Sequence, residues 1–275
     1  MRIWLCLQCV IIAVYSQEKG IDIKENANVT AEGKIVGGKP VTRQQYPSAC
    51  LFFNVGAQCA GTIINTWTIL TAAHCFDDNK DKDQMVIELE SRYLYDFTAR
   101  EYDVSSFVIH ENYNKSAKFA CDIALIFLKK RIKFGSKAKK GVLVNHKRWM
   151  NVKEEKFVAT GWGWTSYGGQ LSDQGLMMTE LQFVDSKTCS TMHNVTITPD
   201  MFCLYGKGIR DTCKGDSGGG ILWNNMVVGI TSHGDGCARI DKPSVYANVF
   251  YFRKWISDQI DNFMTRYCNR TTKKP

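Results

Sequence analysis

The strongest chemical signal in the chain is the run Asp211-Thr212-Cys213-Lys214-Gly215-Asp216-Ser217-Gly218-Gly219-Gly220. A serine hydroxyl is a poor nucleophile. It attacks a carbonyl only when a base stands beside it and backbone donors wait where the oxyanion forms. Glycines on both sides of Ser217 let the backbone turn tightly and bring N–H groups close to a ligand. Alone, such a run suits a flexible turn equally well. Two further stretches decide the matter. Thr71-Ala72-Ala73-His74-Cys75 supplies a histidine beside a cysteine, and Cys121-Asp122-Ile123-Ala124-Leu125 supplies an aspartate at the head of an apolar run. His, Asp, Ser along the chain is one of the known orders of a catalytic triad.

Taken together, these motifs resemble the chymotrypsin/trypsin family of serine endopeptidases, and the likeness runs from Ile35 to about Met264. The resemblance implies an all-β fold. Two antiparallel six-stranded β-barrels would hold the active site in the cleft between them, followed by a C-terminal α-helix. His74 and Asp122 would come from the first barrel and Ser217 from the second. The chemistry implied is acyl transfer through a covalent intermediate, with the N–H groups of Gly215 and Ser217 as the oxyanion hole and no metal or organic cofactor.

The same resemblance marks a substrate pocket. Asp211, six residues before Ser217, stands where trypsin-like relatives hold substrate Arg or Lys, with Thr212 beside it. Ser232 and Gly234 match the expected Ser-Trp-Gly wall, but His233 replaces the tryptophan. Ser244 stands where a wall glycine is usual, so a side chain narrows the pocket and reaches toward Asp211. Lys214 at the mouth would repel basic residues next to the scissile bond and welcome acidic ones. Phe119 would favour a small neighbouring substrate residue. Gly220 replaces a usual proline. The expectation is a restricted trypsin-like enzyme. Two alternatives stay open: the same chemistry with non-tryptic specificity because of Ser244, and a non-catalytic homologue using the fold for binding.

The elements that must position these residues are legible in part. Thr68-Ile69-Leu70-Thr71 reads as a buried strand feeding the His74 loop, and Val104–His110 and Ile123–Leu128 read as strands bracketing Asp122. Frequent turns between short strands suit a barrel architecture. Phe252, Trp255, Ile256, Ile260 and Phe263 share one face at helical spacing, which predicts a C-terminal helix docked on the barrels. Gly161-Trp162-Gly163-Trp164 resembles a family signature opening the second barrel. The carboxylates of Asp77–Asp83 suit calcium by number, but interleaved lysines and the lack of a glycine-centred loop favour a solvated turn.

At 275 residues, 44% hydrophobic and 23% charged, the chain has the composition of a globular protein able to bury a full core. Residues 1–16 read as a secretory signal: Arg2, the apolar run Ile3–Tyr15, then Ser16. That run is too short to span a membrane. Residues 17–34 are polar and lack an apolar period, ending in Lys34 before Ile35-Val36-Gly37-Gly38. By resemblance this is an activation junction, cut by a trypsin-like protease, whose new Ile35 ammonium would pair with Asp216. The protease domain is then 35–275, with barrels at about 35–140 and 141–250 and the helix at about 251–264.

Eleven cysteines suit an oxidising compartment, and Cys6 and Cys9 fall in the signal. The resemblance pairs Cys59 with Cys75, Cys189 with Cys203 and Cys213 with Cys237. Another bridge of relatives would sit at positions here occupied by Phe157 and Trp223. Cys50, Cys121 and Cys268 remain, as one pair plus a free thiol or with an intermolecular bridge. Asn28, Asn114, Asn194 and Asn269 are glycosylation acceptors by pattern. The net charge is +8, and removing residues 1–34 leaves it unchanged because Arg2 offsets the net acid of 17–34. Lys129–Arg148 holds nine basic residues and no acid. This run suits polyanions, though solvated surface is the commoner reason for such a run. Expected partners are protein substrates and protein protease inhibitors, in an extracellular setting. No nucleic-acid motif is visible.

Overall fold

A computed structural model describes residues 35–271 apart from 56, 153–154, 170 and 172–174. The expected signal, the segment 17–34 with Lys34, and Asn28 lie outside the described residues.

The short strand β1 (Lys39–Pro40) precedes β2 (Ala49–Asn54), β3 (Ala57–Ile63), β4 (Thr68–Thr71), β5 (Val86–Leu89), β6 (Arg100–Ile109) and β7 (Ala124–Leu128). Strands β2 to β7 close into a six-stranded antiparallel barrel in the order β2-β3-β4-β7-β6-β5, with β5 returning to pair with β2. A connecting run with β8 (Val142–Leu143) leads to β9 (Lys156–Gly161) and β10 (Met177–Val184). The helix α1 (Ser186–His193) follows, then β11 (Met201–Tyr205), β12 (Gly220–Trp223), β13 (Met226–His233) and β14 (Ser244–Asn248). These form the second six-stranded antiparallel barrel, β10-β11-β14-β13-β12-β9, closed by β9 against β10. β1 lies on the outer side of β10, and β8 runs parallel to β13.

The residue pattern explains why β7 is apolar throughout. Ala124-Leu125-Ile126-Phe127-Leu128 is buried at every position. One face fills the barrel, and the other is covered by the C-terminal helix α2 (Arg253–Thr271), whose Phe263 stacks on Phe127 at 4.2 Å between ring centroids. The helix starts as the periodicity predicts but continues past residue 264. Tyr267, one turn beyond Phe263, packs its ring 4.8 Å from Trp67 and extends the covered stripe. The helix α1 was not anticipated. Its signals are local: Asp185 caps it by accepting the Thr188 N–H at 2.9 Å, and Asn194 ends it in the left-handed conformation.

The expected bridges Cys59–Cys75, Cys189–Cys203 and Cys213–Cys237 are all formed. Cys50 is buried in the first barrel and Cys121 half-buried, and neither is bridged. The Asp77–Asp83 loop is a turn held by its own side chains, with Asp81 accepting from the Asp83 N–H and Lys82 pairing with Asp83 at 2.7 Å.

Candidate active site

His74 follows β4 directly, in a single 3-10 turn, Ala73–Phe76, which the Cys59–Cys75 bridge ties to β3. Asp122 sits just before β7. Cys121 ahead of it adopts a left-handed φ of 55° and donates its N–H to Asp200 Oδ2 at 2.7 Å, which sets the direction of the following residue. Both barrel elements therefore deliver their residues to one place. Asp122 accepts the His74 backbone N–H at 2.9 Å on Oδ1 and faces His74 Nδ1 at 2.8 Å with Oδ2. Ser232 Oγ donates to the same Oδ2 at 2.5 Å.

Asp122 is 1% exposed, so its charge needs these donors. Burial pushes its pKa up, but the His74 charge and the hydrogen bonds from His74 and Ser232 outweigh it, and the net shift is down. For His74 burial acts downward, and the Asp122 charge and hydrogen bond turn the net shift upward. An ionised Asp122 only accepts, so His74 Nδ1 carries the hydrogen and Nε2 is left with a lone pair. Such an imidazole can take a proton from a neighbouring hydroxyl.

Ser217 lies in the loop between β11 and β12. Gly215 and Gly218 flank it at φ 96° and 81°, where a side chain is strained. A Cβ on Gly218 would stand 2.1 Å from Thr71 Oγ1 and 2.4 Å from the Ala60 carbonyl, so only glycine lets the serine loop press against the histidine strand. The Ala60 N–H donates to the Ser217 carbonyl at 2.7 Å and completes that contact. On the other side Asp216 is fully buried and accepts the N–H groups of Gly163 at 2.8 Å and Cys213 at 2.9 Å. Burial pushes its carboxyl up to about 7. A Cβ on Gly161 would stand 2.0 Å from Asp216 Oδ1, which gives the Gly161-Trp162-Gly163 run its local role. Ile35 is also fully buried, and Val36 accepts the Asp211 N–H at 3.1 Å.

Beside Ser217 opens a cavity of about 380 Å³. Buried Thr212, Ser232 and Ser244 line it inside, with Phe119 and His233, while exposed Lys214 and Gly234 line its rim. Asp211 lies beneath, 5% exposed. Its Oδ1 accepts the Thr212 N–H at 2.8 Å; its Oδ2 accepts the Ala238 N–H and the Ser244 hydroxyl, each at 2.8 Å. Burial pushes Asp211 up to about 6 against these donors.

Sequence reasoning missed Lys118 and Tyr167, which also line the cavity. Lys118 holds its ammonium over the Phe119 ring at 5.3 Å, as Lys214 does over Trp164 at 5.0 Å. Adjacency to Phe119 was the available signal for Lys118. Missed as well was the ring contact of Phe119 with His233, 4.6 Å apart and stacked. Cys59, His74 and Cys75 form a metal-like cluster among the described residues, but both sulfurs are spent in a disulfide. Asn114, Asn194 and Asn269 are exposed. No helix among the described residues is long and apolar enough to cross a membrane.

Comparison with known proteins places this geometry. Residues 35–256 match the Trypsin family. The chain is 31% identical over 230 residues to trypsin epsilon of Drosophila erecta, covering 82% of this chain and 87% of that protein. It is 30% identical over 251 residues to trypsin alpha-4 of Lucilia cuprina, covering 90% and 95%. It is also 31% identical over 243 residues to transmembrane protease serine 11A of Homo sapiens, covering 85% of this chain but 56% of that longer protein. The chain thus spans about half the length of that relative.

Proposed function

We propose, from the premise that the chain belongs to the trypsin family of serine endopeptidases, that it cleaves peptide bonds after Lys or Arg through Ser217, His74 and Asp122. His74 Nε2 takes the hydroxyl proton as Ser217 attacks the carbonyl. The oxyanion rests on the N–H groups of Gly215 and Ser217. The same imidazole then delivers the proton to the leaving amine, and water repeats the sequence on the acyl-enzyme. Asp122 holds the tautomer and stabilises the imidazolium. All three triad residue types are present, so no observation favours a non-catalytic use of the fold.

The observation that carries the specificity is Asp211, a buried carboxylate under the cavity whose pKa is pushed up to about 6 by burial. A basic side chain supplies the partner charge such a group lacks. The test is hydrolysis of matched peptides with Arg, Lys, Phe, Leu or Ala before the scissile bond. Preference for Arg or Lys supports the reading. A second reading rests on Ser244, whose hydroxyl already occupies Asp211 Oδ2. Preference for an uncharged residue, with Ser217 still labelled by a fluorophosphonate, would favour it.

Several finer features belong to the same proposal. The protein is made as a secreted zymogen, activated by a trypsin-like protease at Lys34, and glycosylated at Asn114, Asn194 and Asn269. Support for activation comes from Asp216, buried and without a cationic partner among the described residues while Ile35 is still peptide-bonded. Lys34→Gln should be secreted normally and stay inactive; full activity in that variant would sink the zymogen idea. Lys214 and Lys118 at the cavity favour acidic residues near the scissile bond. The basic run Lys129–Arg148 suits a polyanion, since all its lysines and arginines are exposed. Protein substrates and protein inhibitors are the natural partners of such a site.

A further inference from the structure

The triad carboxylate is linked to a second imidazole. Ser232 Oγ stands 2.5 Å from Asp122 Oδ2 and 3.0 Å from His233 Nδ1. A serine hydroxyl owns one proton and two lone pairs, and an ionised carboxylate only accepts. The proton of Ser232 therefore points to Asp122. The reverse assignment would leave two oxygens at 2.5 Å with no hydrogen between them. It follows that His233 Nδ1 brings the hydrogen to Ser232 and that His233 Nε2 is bare.

We infer that His233 is a positioning residue for the triad, donating from Nδ1 to Ser232 and so fixing that hydroxyl on Asp122. The inference rests on the hydrolytic reading of the site. The ring is held for this task by stacking on Phe119 at 4.6 Å and 19°, and Phe119 in turn sets its edge against His74 at 5.8 Å and 80°. Ser232 is 7% exposed, so water does not substitute freely for the donor. The charged and titratable groups facing His233 are Asp122, which favours protonation, and His193, His74 and Lys118, which oppose it. Burial is the largest influence, and the pKa falls to about 4. His233 is thus neutral wherever His74 titrates. The tryptophan expected here has carbon at the δ1 position and makes no such bond.

A donor to Ser232 polarises its hydroxyl toward Asp122 and makes the carboxylate less basic. Removing it should leave Asp122 more basic and its hydroxyl partner less firmly oriented, and so raise the His74 pKa. The experiment compares His233→Phe, His233→Asn and His233→Gln on the chain cleaved after Lys34. Phe keeps a flat ring for Phe119 but has no donor. Asn places an amide N–H near the Nδ1 position, and Gln carries it too far out. Expected are a kcat about tenfold lower for Phe and Gln, the worth of one hydrogen bond, and the acid limb of kcat/KM moved to higher pH. Asn should recover most of the loss. An unchanged kcat and pH profile in His233→Phe, or equal losses in Asn and Gln, would overturn the inference.

¹⁵N NMR of histidine-labelled full chain reads the tautomer without any variant. A protonated Nδ1 and bare Nε2 on His233 is expected, and a protonated Nε2 would overturn the assignment. Wild-type protein giving neither turnover nor a fluorophosphonate label on Ser217 would defeat the hydrolytic reading instead, and the tautomer result would stand apart from it.

Discussion

At the residue scale, the proposed specificity turns on one hydroxyl. A guanidinium binds a carboxylate best through two parallel N–H···O bonds, which needs both oxygens open on one edge. Ser244 closes part of that edge by donating to Asp211 Oδ2 at 2.8 Å. An ammonium is a compact point charge and loses less, since it can bond to the Ser244 oxygen as well as to the remaining carboxylate lone pair. Ser244→Gly should therefore raise kcat/KM for an Arg substrate relative to the matched Lys substrate by about tenfold, one hydrogen bond's worth. Steady-state kinetics on paired amide substrates checks this, and an unchanged ratio would mean that Ser244 does not govern access. The presence of Ser244 was legible in the sequence. Its reach toward Asp211 was legible too, by family resemblance; which carboxylate oxygen it occupies was not, because the two residues lie on separate segments that only the closure of the second barrel brings together.

At the element scale, the C-terminal helix acts as the outer cover of β7, whose N-terminal end follows Asp122. Phe263 is 8% exposed and lies flat on Phe127. Removing a buried aromatic costs its transfer free energy plus the cavity left behind, about 3–5 kcal/mol. Phe263→Ala should lower the unfolding free energy by that amount while the folded enzyme keeps its kcat, since its ring partners Trp67, Phe127 and Tyr267 lie outside the proposed site. Equilibrium urea unfolding alongside active-site titration separates the two effects. The helix was readable from the spacing of Phe252, Ile256, Ile260 and Phe263. Its full length was not, because Tyr267 gains its reason to be helical from Trp67 on the first barrel. The strand β7 could be read as buried, but not why both of its faces are dry.

At the scale of the whole molecule, buried carboxyls make stability depend on pH in an unusual direction. Asp216, ordinarily near 3.8, is pushed up to about 7 by burial, and Asp211 up to about 6. A carboxyl raised in the folded state binds its proton more tightly there than in the unfolded chain. Its stabilising contribution is complete below about pH 4 and is lost as pH rises through the folded value. For Asp216 the loss is on the order of 4 kcal/mol. The uncleaved chain should therefore melt at progressively lower temperature from pH 5 to pH 8. Asp216→Asn should flatten that slope, and cleavage at Lys34 should do so too by supplying an ammonium to Asp216. Thermal melts of the three proteins across this range test it. Equal slopes in all three would remove Asp216 as the source.

The sequence by itself determined the family, the strands around His74 and Asp122 and the docking face of the last helix, and the family resemblance implied the three disulfide pairings that the structure forms. The motifs, the strands and the helix face are written locally, in motif spacing or in the period of apolar residues, and survive without knowledge of the rest of the chain. Tertiary structure alone decided what those residues touch. Phe119 stacks on His233, and Ser232 bridges His233 to Asp122, because the two closed barrels bring residues distant in sequence within hydrogen-bond and van der Waals range. Contacts of that kind depend on barrel closure and side-chain packing, which no local period encodes.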